Sequence, residues 1–210
     1  MNKILRIDAS PRGDRSHSRR LTEQFIKLWA DKNPGTEIIH RDVGKFPPTP
    51  VSEEWIAAAF KPAEEQTALM KNQLKESDAL LHELINADLV VIGLPLYNFS
   101  VPAAFKAWID QIVRINHSFL FEPEDKQAPY KPLLVDKPTF IIIASGDAGY
   151  EPGGPFFSLN HAEPYLRTVL PFIGINNLHF IYVGYDEFGG ERLEQSLNAA
   201  KQQIQQLVDA

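Results

Sequence analysis

Short, uninterrupted apolar runs alternate along this chain with longer stretches whose apolar residues recur at helical spacing. Lys3 to Asp8 is partly β-branched and reads as a strand; Leu21, Phe25, Leu28 and Trp29 then share a helical stripe between Ser16 and Trp29. Asn33-Pro34-Gly35 stops that helix, and Thr36 to His40 predicts a second strand. After a proline-rich passage from Gly44 to Pro50 come amphipathic segments at 52–60 and 64–86. Asp88 to Leu94 (DLVVIGL) and Thr139 to Ala144 (TFIIIA) are apolar without alternation, as strands covered on both faces should be. A helix from Pro102 to Asn116 separates them, with Ala104, Ala107, Trp108 and Val113 able to share a face. A helix near 163–173, a strand at 178–183 and a closing helix from about Gly189 to Val208 complete five βα units. That order predicts an α/β fold, a parallel sheet with helices on both faces, in one domain spanning 1–210. Residues 44–65 and 117–137 read as unusually long connections, of the kind that cover a site or a subunit contact.

Composition narrows the chemistry. The 210 residues contain no cysteine, which removes disulfides, thiolate nucleophiles and cysteine-held metal centres. A chain of this length builds a core without such staples. The formal net charge of −6 and the lack of a basic stripe argue against nucleic acid as a partner. The N-terminal apolar run is interrupted by Arg6 and Asp8, too short for a signal peptide or a membrane span, so a cytoplasmic protein without a membrane partner is expected. No histidines or carboxylates are spaced for a metal, and His40, His82 and His179 have no partner visible in sequence.

Open parallel sheets bind ligands beyond the carboxyl ends of their strands, so the loops after the first, third and fourth strands carry the candidates. The first loop runs from Ser10 to Ser18, with Gly13 to turn it and a helix start that leaves amides free for an anion. Arg15, Arg19 and Arg20 lie near the first helical turn, where cations oppose the helix dipole unless an anion is bound. The plainer alternative is Ser16 or Ser18 as an N-cap with solvated arginines. The loop lacks GxxxxGK followed by Ser or Thr, and it lacks GxGxxG, so neither a nucleoside triphosphate loop nor a dinucleotide fingerprint is present. Asp8 could suggest a phospho-acceptor, but the partner carboxylate and lysine such a domain needs are missing. The third-strand loop offers amides, Asn98 and two aromatics beside an apolar rim, suited to a flat heteroaromatic ligand with polar edges.

The block PLYNFSVPAAFKAWIDQI (95–112) resembles that of the FMN-dependent NAD(P)H azoreductases and their NAD(P)H:quinone oxidoreductase relatives. The resemblance extends to Ser10 and Ser16-His17-Ser18, to 117–121 and to EPYLRTVLPFIGI (163–175). It implies a flavodoxin-like three-layer αβα sandwich whose five-stranded parallel sheet has the order 2-1-3-4-5. It implies Ser10, Ser16, His17 and Ser18 around the FMN phosphate, and Leu96, Tyr97, Asn98 and Phe99 along the isoalloxazine. Ser145, Gly146, Asp147 and Ala148 would close over the pyrimidine side. That last loop departs from the family's pattern, and an aspartate there would disfavour an anionic reduced flavin.

The implied activity is two-electron transfer from NADH or NADPH to a quinone or azo acceptor in a ping-pong cycle on tightly bound FMN. No obligatory side-chain acid or base is expected, since the protein's share is to position ligands over one flavin face. The resemblance further implies a homodimer, with Phe119, Phe121 and Tyr130 as candidates for an apolar wall near the site. Tyr150 and His161 are candidate hydrogen-bond donors to the acceptor, or ordinary surface residues; Trp29, Phe105 and Trp108 read as core. Two rival functions remain: a one-electron carrier of the flavodoxin type, and a non-enzymatic flavin- or nicotinamide-sensing partner.

Overall fold

A computed structural model describes residues 3–209; residues 1, 2 and 210 lie outside it. Five parallel strands form the central sheet: β1 (Lys3–Asp8), β2 (Glu37–Asp42), β3 (Leu89–Pro95), β6 (Thr139–Ala144) and β7 (Leu178–Val183). Their order is β2-β1-β3-β6-β7, the 2-1-3-4-5 arrangement once the strands of this sheet are counted alone. The helices are α1 (His17–Lys32), α2 (Glu53–Ala59), α3 (Ala68–Asn86), α4 (Ala103–Ile112), α5 (Ala162–Phe172) and α6 (Gly190–Asp209).

The strand pleat divides the core in two. Leu5 and Ile7 of β1, Val90, Ile92 and Leu94 of β3, and Ile141 and Ile143 of β6 face α3, α4 and α5. Ile4, Leu89, Val91, Phe140 and Ile142 face the other way, against α1 and α6. Both sides of β3 are covered, so all seven of its positions are buried and its sequence shows no polar alternation. On α4 the fully buried apolar residues are Phe105, Trp108, Ile109 and Ile112; of the stripe anticipated, Ala107 and Trp108 are buried, whereas Ala104 and Val113 are only partly so. Residues of the sheet share a core with one side of this helix and α3 packs on another, which widens its buried arc.

The segment from 117 to 137 is not a plain loop. It contains an antiparallel pair, β4 (Phe119–Phe121) and β5 (Tyr130–Pro132), whose Phe119 and Tyr130 rings pack on Phe172 of α5 at 4.9 and 5.5 Å. Three-residue strands give too few positions for a period to be read from sequence. The stretch from 44 to 65 is likewise shortened by α2, which Ser52 caps by accepting from the Trp55 amide. Buried Lys137 donates to the carbonyls of Leu84, Ile85 and Ala87 at the end of α3, satisfying acceptors that the helix leaves open. No helix among the described residues is long and apolar enough to cross a membrane.

Candidate functional site

Connections leaving the carboxyl edge of the sheet surround a cleft of about 240 Å³. Its walls come from Ser10, Arg12 and Ser16–Ser18 after β1, Pro95–Tyr97 at the end of β3, Ala144–Gly146 after β6, and Asp186–Glu187 after β7. A parallel sheet brings these segments together because every strand ends on the same edge.

The end formed by the first loop is held from below. Asp8 is fully buried, lies 2.8 Å from Arg6 Nε and 2.8 Å from His40 Nε2, and accepts from Thr22 Oγ1 at 2.8 Å. Arg19 turns down toward this group rather than out to a ligand. Its Nε donates to the Ser10 carbonyl at 2.7 Å, and its guanidinium makes a two-pronged pair with Asp42. The hydrogen bonds to Asp42 hold the Arg19 pKa above its ordinary value. Burial works to raise that of Asp42, but the bonds from Arg19 and the Lys45 amide outweigh it and hold the carboxyl low. The dipole opposition expected of Arg19 is thus neutralised inside the protein.

Above this base, Ser16 caps α1 by accepting from the Arg19 amide at 3.4 Å, and its Oγ lies 3.1 Å from Ser18 Oγ. The first amides of the helix, at His17 and Ser18, have no intrahelical acceptor. Arg20 lies 3.1 Å from His17 Nδ1. A guanidinium can only donate, so Nδ1 accepts and a neutral His17 carries its hydrogen on Nε2. That hydrogen points to Asp186 Oδ1 at 2.9 Å, and Arg12 pairs with the same carboxylate. Burial is the main influence lowering the His17 pKa; Arg20 and Arg12 lower it further, against the pull of Asp186.

The opposite end is built differently. Tyr97 and Ser100 exchange backbone hydrogen bonds at 3.1 and 3.0 Å around a tight turn. Its central residues, Asn98 and Phe99, have φ of 47° and 68°, the left-handed pair of a type I′ turn. Asparagine tolerates this position, whereas phenylalanine at the second centre replaces the favoured glycine and costs about 1–2 kcal/mol. The Phe99 carbonyl accepts from the His161 amide at 2.7 Å, and its half-exposed ring lies 6.4 Å from that of Tyr150.

Beside the cleft runs an open groove of about 610 Å³ lined by Tyr97, Asn98, Ser100–Ala103, Lys106 and Tyr165. Tyr97 borders both spaces, and Lys106 is paired with Asp110 one turn along α4. Burial, then Asp110, push the Tyr165 phenol up to about 12.

Most of the residues singled out in the sequence meet here. Ser10, Ser16, His17, Ser18, Leu96, Tyr97, Ser145 and Gly146 line the cleft, and Asn98 lines the adjoining groove. Phe99 lines neither and stands at the rim of the turn. Asp147 and Ala148 are also absent from the lining. The Asp147 carboxylate folds back onto the Ala148 amide at 2.8 Å, its carbonyl accepts from Ser145 Oγ, and Ala148 packs under Gly184. The acids on the cleft wall are instead Asp186 and Glu187, whose backbone amides donate to the Ser145 and Gly146 carbonyls. Sequence reasoning passed over them because it stopped at the loop after the fourth strand. Arg12 was visible in the first loop but was not separated from its neighbouring arginines.

The donor set fits an FMN: two serine hydroxyls, an arginine and free helix amides at one end, a flat aromatic-edged turn at the other. The family model described as flavodoxin-like fold matches residues 2–208, and the chain belongs to that family. It is 44% identical over 97% of each chain to the FMN-dependent NAD(P)H:quinone oxidoreductase 1 of Pseudomonas aeruginosa. It is 42% identical to the FMN-dependent NADH:quinone oxidoreductase of a Nostoc species, over 99% of each chain. Among solved structures, azoreductase from Bacillus anthracis str. Sterne superposes with a TM-score of 0.86 at 24% identity, covering 100% of this chain and 99% of that one, a likeness of fold.

Proposed function

We propose that this protein is an FMN-dependent enzyme that passes two electrons from NADH or NADPH to quinones and azo compounds. The observation that carries the reading is the joining, in one cleft, of a hydroxyl- and amide-rich anion end with Leu96 and Tyr97, which open the turn toward the neighbouring groove. Full-length relatives at 42–44% identity bearing the quinone oxidoreductase name support it. FMN, when bound, supplies the hydride-accepting and electron-donating chemistry.

The chain's own residues hold and orient. Ser16 and Ser18 hydroxyls, the His17 and Ser18 amides and Arg12 would grip the phosphate, on a loop fixed from below by Arg19 and Ser10. Leu96, Tyr97 and the Asn98–Phe99 turn would line the ring, with Gly146 giving backbone access at its pyrimidine side. Asp147 and Ala148 would act through the shape of that loop, not by contact. The groove shared through Tyr97 would admit nicotinamide and acceptor in turn, which makes a ping-pong order the natural one. One domain, a homodimeric assembly and a cytoplasmic setting complete the reading. The aromatic cluster of Phe119, Phe121, Tyr130 and Phe172 is the candidate apolar contact.

The test is an anaerobic absorption spectrum of the protein with FMN, before and after each nicotinamide and then benzoquinone. Bleaching by a nicotinamide and recovery with the quinone is the expected result. Bound flavin that ignores both nicotinamides would leave a carrier or sensor. Crossing lines in place of parallel double-reciprocal plots would reject the ping-pong order.

A further inference from the structure

The anion end of the cleft carries an unexpected charge balance. Besides His17, its acidic and basic lining residues are one arginine, Arg12, and two carboxylates, Asp186 and Glu187. A site meant only to attract a phosphate would not place acids on its wall. Asp186 does more than border the space. Its carboxylate accepts from Arg12 and from His17 Nε2, two of the side-chain donors best placed for a phosphate. The chain Arg20 to His17 to Asp186 fixes the direction of these bonds, because Arg20 commits His17 Nδ1 as an acceptor.

The arrangement is anchored. The Asp186 amide lies 3.3 Å from the Ser145 carbonyl, and the preceding Tyr185 has a φ of 69°, which a bulky residue adopts at a cost. On the other flank Glu187 packs so closely on Gly146 that a Cβ there would come within 2.6 Å of its carboxyl group.

We propose that Asp186 is a specificity-determining residue, a resident anion that competes with the flavin phosphate for Arg12 and His17. An arriving phosphate must share these donors with a carboxylate or draw them away from it. Its surest hold is then the Ser16 and Ser18 hydroxyls and the α1 amides, and the site weighs the phosphate less than its donor count suggests. As a result, riboflavin, which lacks the phosphate, is discriminated against only weakly. The flavin form of this inference rests on the FMN reading above; the anion competition itself does not.

The experiment compares flavin-free wild type with Asp186→Asn, an isosteric change that removes the charge. Dissociation constants for FMN and riboflavin are read by fluorescence quenching, and thermal midpoints are taken with and without inorganic phosphate. FMN should bind about tenfold more tightly to the variant, the size expected from removing one nearby like charge at a partly screened site, with riboflavin unchanged. Inorganic phosphate should raise the variant's midpoint more than that of wild type. Unchanged or weaker FMN binding would overturn the proposal, making Asp186 an orienting group for Arg12 and His17; so would an equal shift for both flavins. If wild type binds neither flavin, the FMN reading falls, and the phosphate midpoints alone decide: a larger gain in the variant supports competition and an equal gain rejects it. If Asp186→Asn does not fold, the wild-type ratio of riboflavin to FMN dissociation constants decides. A ratio below about a hundredfold supports the proposal, and a larger one, as several uncontested charge-assisted bonds would give, overturns it.

Discussion

The two ends of the cleft solve different problems. At the anion end a network of charged side chains is paired: Asp8 to Arg6 and His40, Arg19 to Asp42, Arg12 and His17 to Asp186. At the ring end a four-residue turn with two left-handed centres holds Phe99 half in solvent, with few polar ties beyond the His161 amide. The first end is a rigid electrostatic socket, and its stability lies in buried pairs that are costly to break. The second spends conformational energy to present a ring. On the proposed reading, fixing a cofactor and receiving a flat acceptor would draw on separate physical resources in neighbouring spaces.

The most severe way to break the contrast is Asp8→Ala. Removing a fully buried carboxylate leaves Arg6 and His40 without their partner, a loss of about 3–5 kcal/mol in urea-unfolding stability. A loss below about 1 kcal/mol would mean that Asp42 and solvent already satisfy these two side chains. Next, Ser18→Ala removes a buried hydroxyl from the anion end and should weaken FMN binding roughly tenfold while sparing riboflavin. Equal weakening of both flavins would point to a disturbed helix start instead. At the ring end, Phe99→Gly should unfold at a stability about 1 kcal/mol above Phe99→Ala, because only glycine relieves the left-handed backbone. Both should raise KM for the acceptor more than they lower kcat; a raised FMN dissociation constant without a KM change would place Phe99 with the cofactor.

The smallest effect is set by pH. Burial lowers the pKa of His17, and burial together with Arg114 lowers that of His117. The unfolded chain therefore binds protons near pH 6.5 that the native chain refuses, so their contribution is intact above about pH 6.5 and declines as pH falls toward the native values. Urea midpoints at pH 7.5 and 5.5 should differ less in His17→Gln than in wild type. Identical differences would show that His17 protonates freely in the folded protein.

Much of this was legible in the sequence for a specific reason. Residues 89–95 and 139–144 are buried on both faces, so their apolar runs are continuous, and with three further strand-like segments separated by helical stripes they leave little choice of architecture. Ser10, Ser16 and Ser18 could be read because a helix start has a known chemistry. What escaped depends on long-range placement. His40 meets Asp8 across neighbouring strands, 32 residues apart, and local pattern says nothing about such a pair. Asp186 reaches His17 from the far end of the chain, and Asp147, adjacent to the cleft in sequence, closes on the next residue's amide. Side-chain direction within a loop is set by backbone bonds that spacing does not reveal.

The pairing of the nucleophiles has a consequence for durability. A quinone acceptor of the kind proposed is an electrophile that alkylates thiols, amines and imidazoles by conjugate addition. This chain has no cysteine, the lysine bordering the groove is engaged by Asp110, and the free lone pair of His17 is occupied by Arg20. Under the proposed function, the lining of the cleft would therefore present an electrophilic acceptor with no thiol and no lysine amine, and with one imidazole nitrogen already engaged.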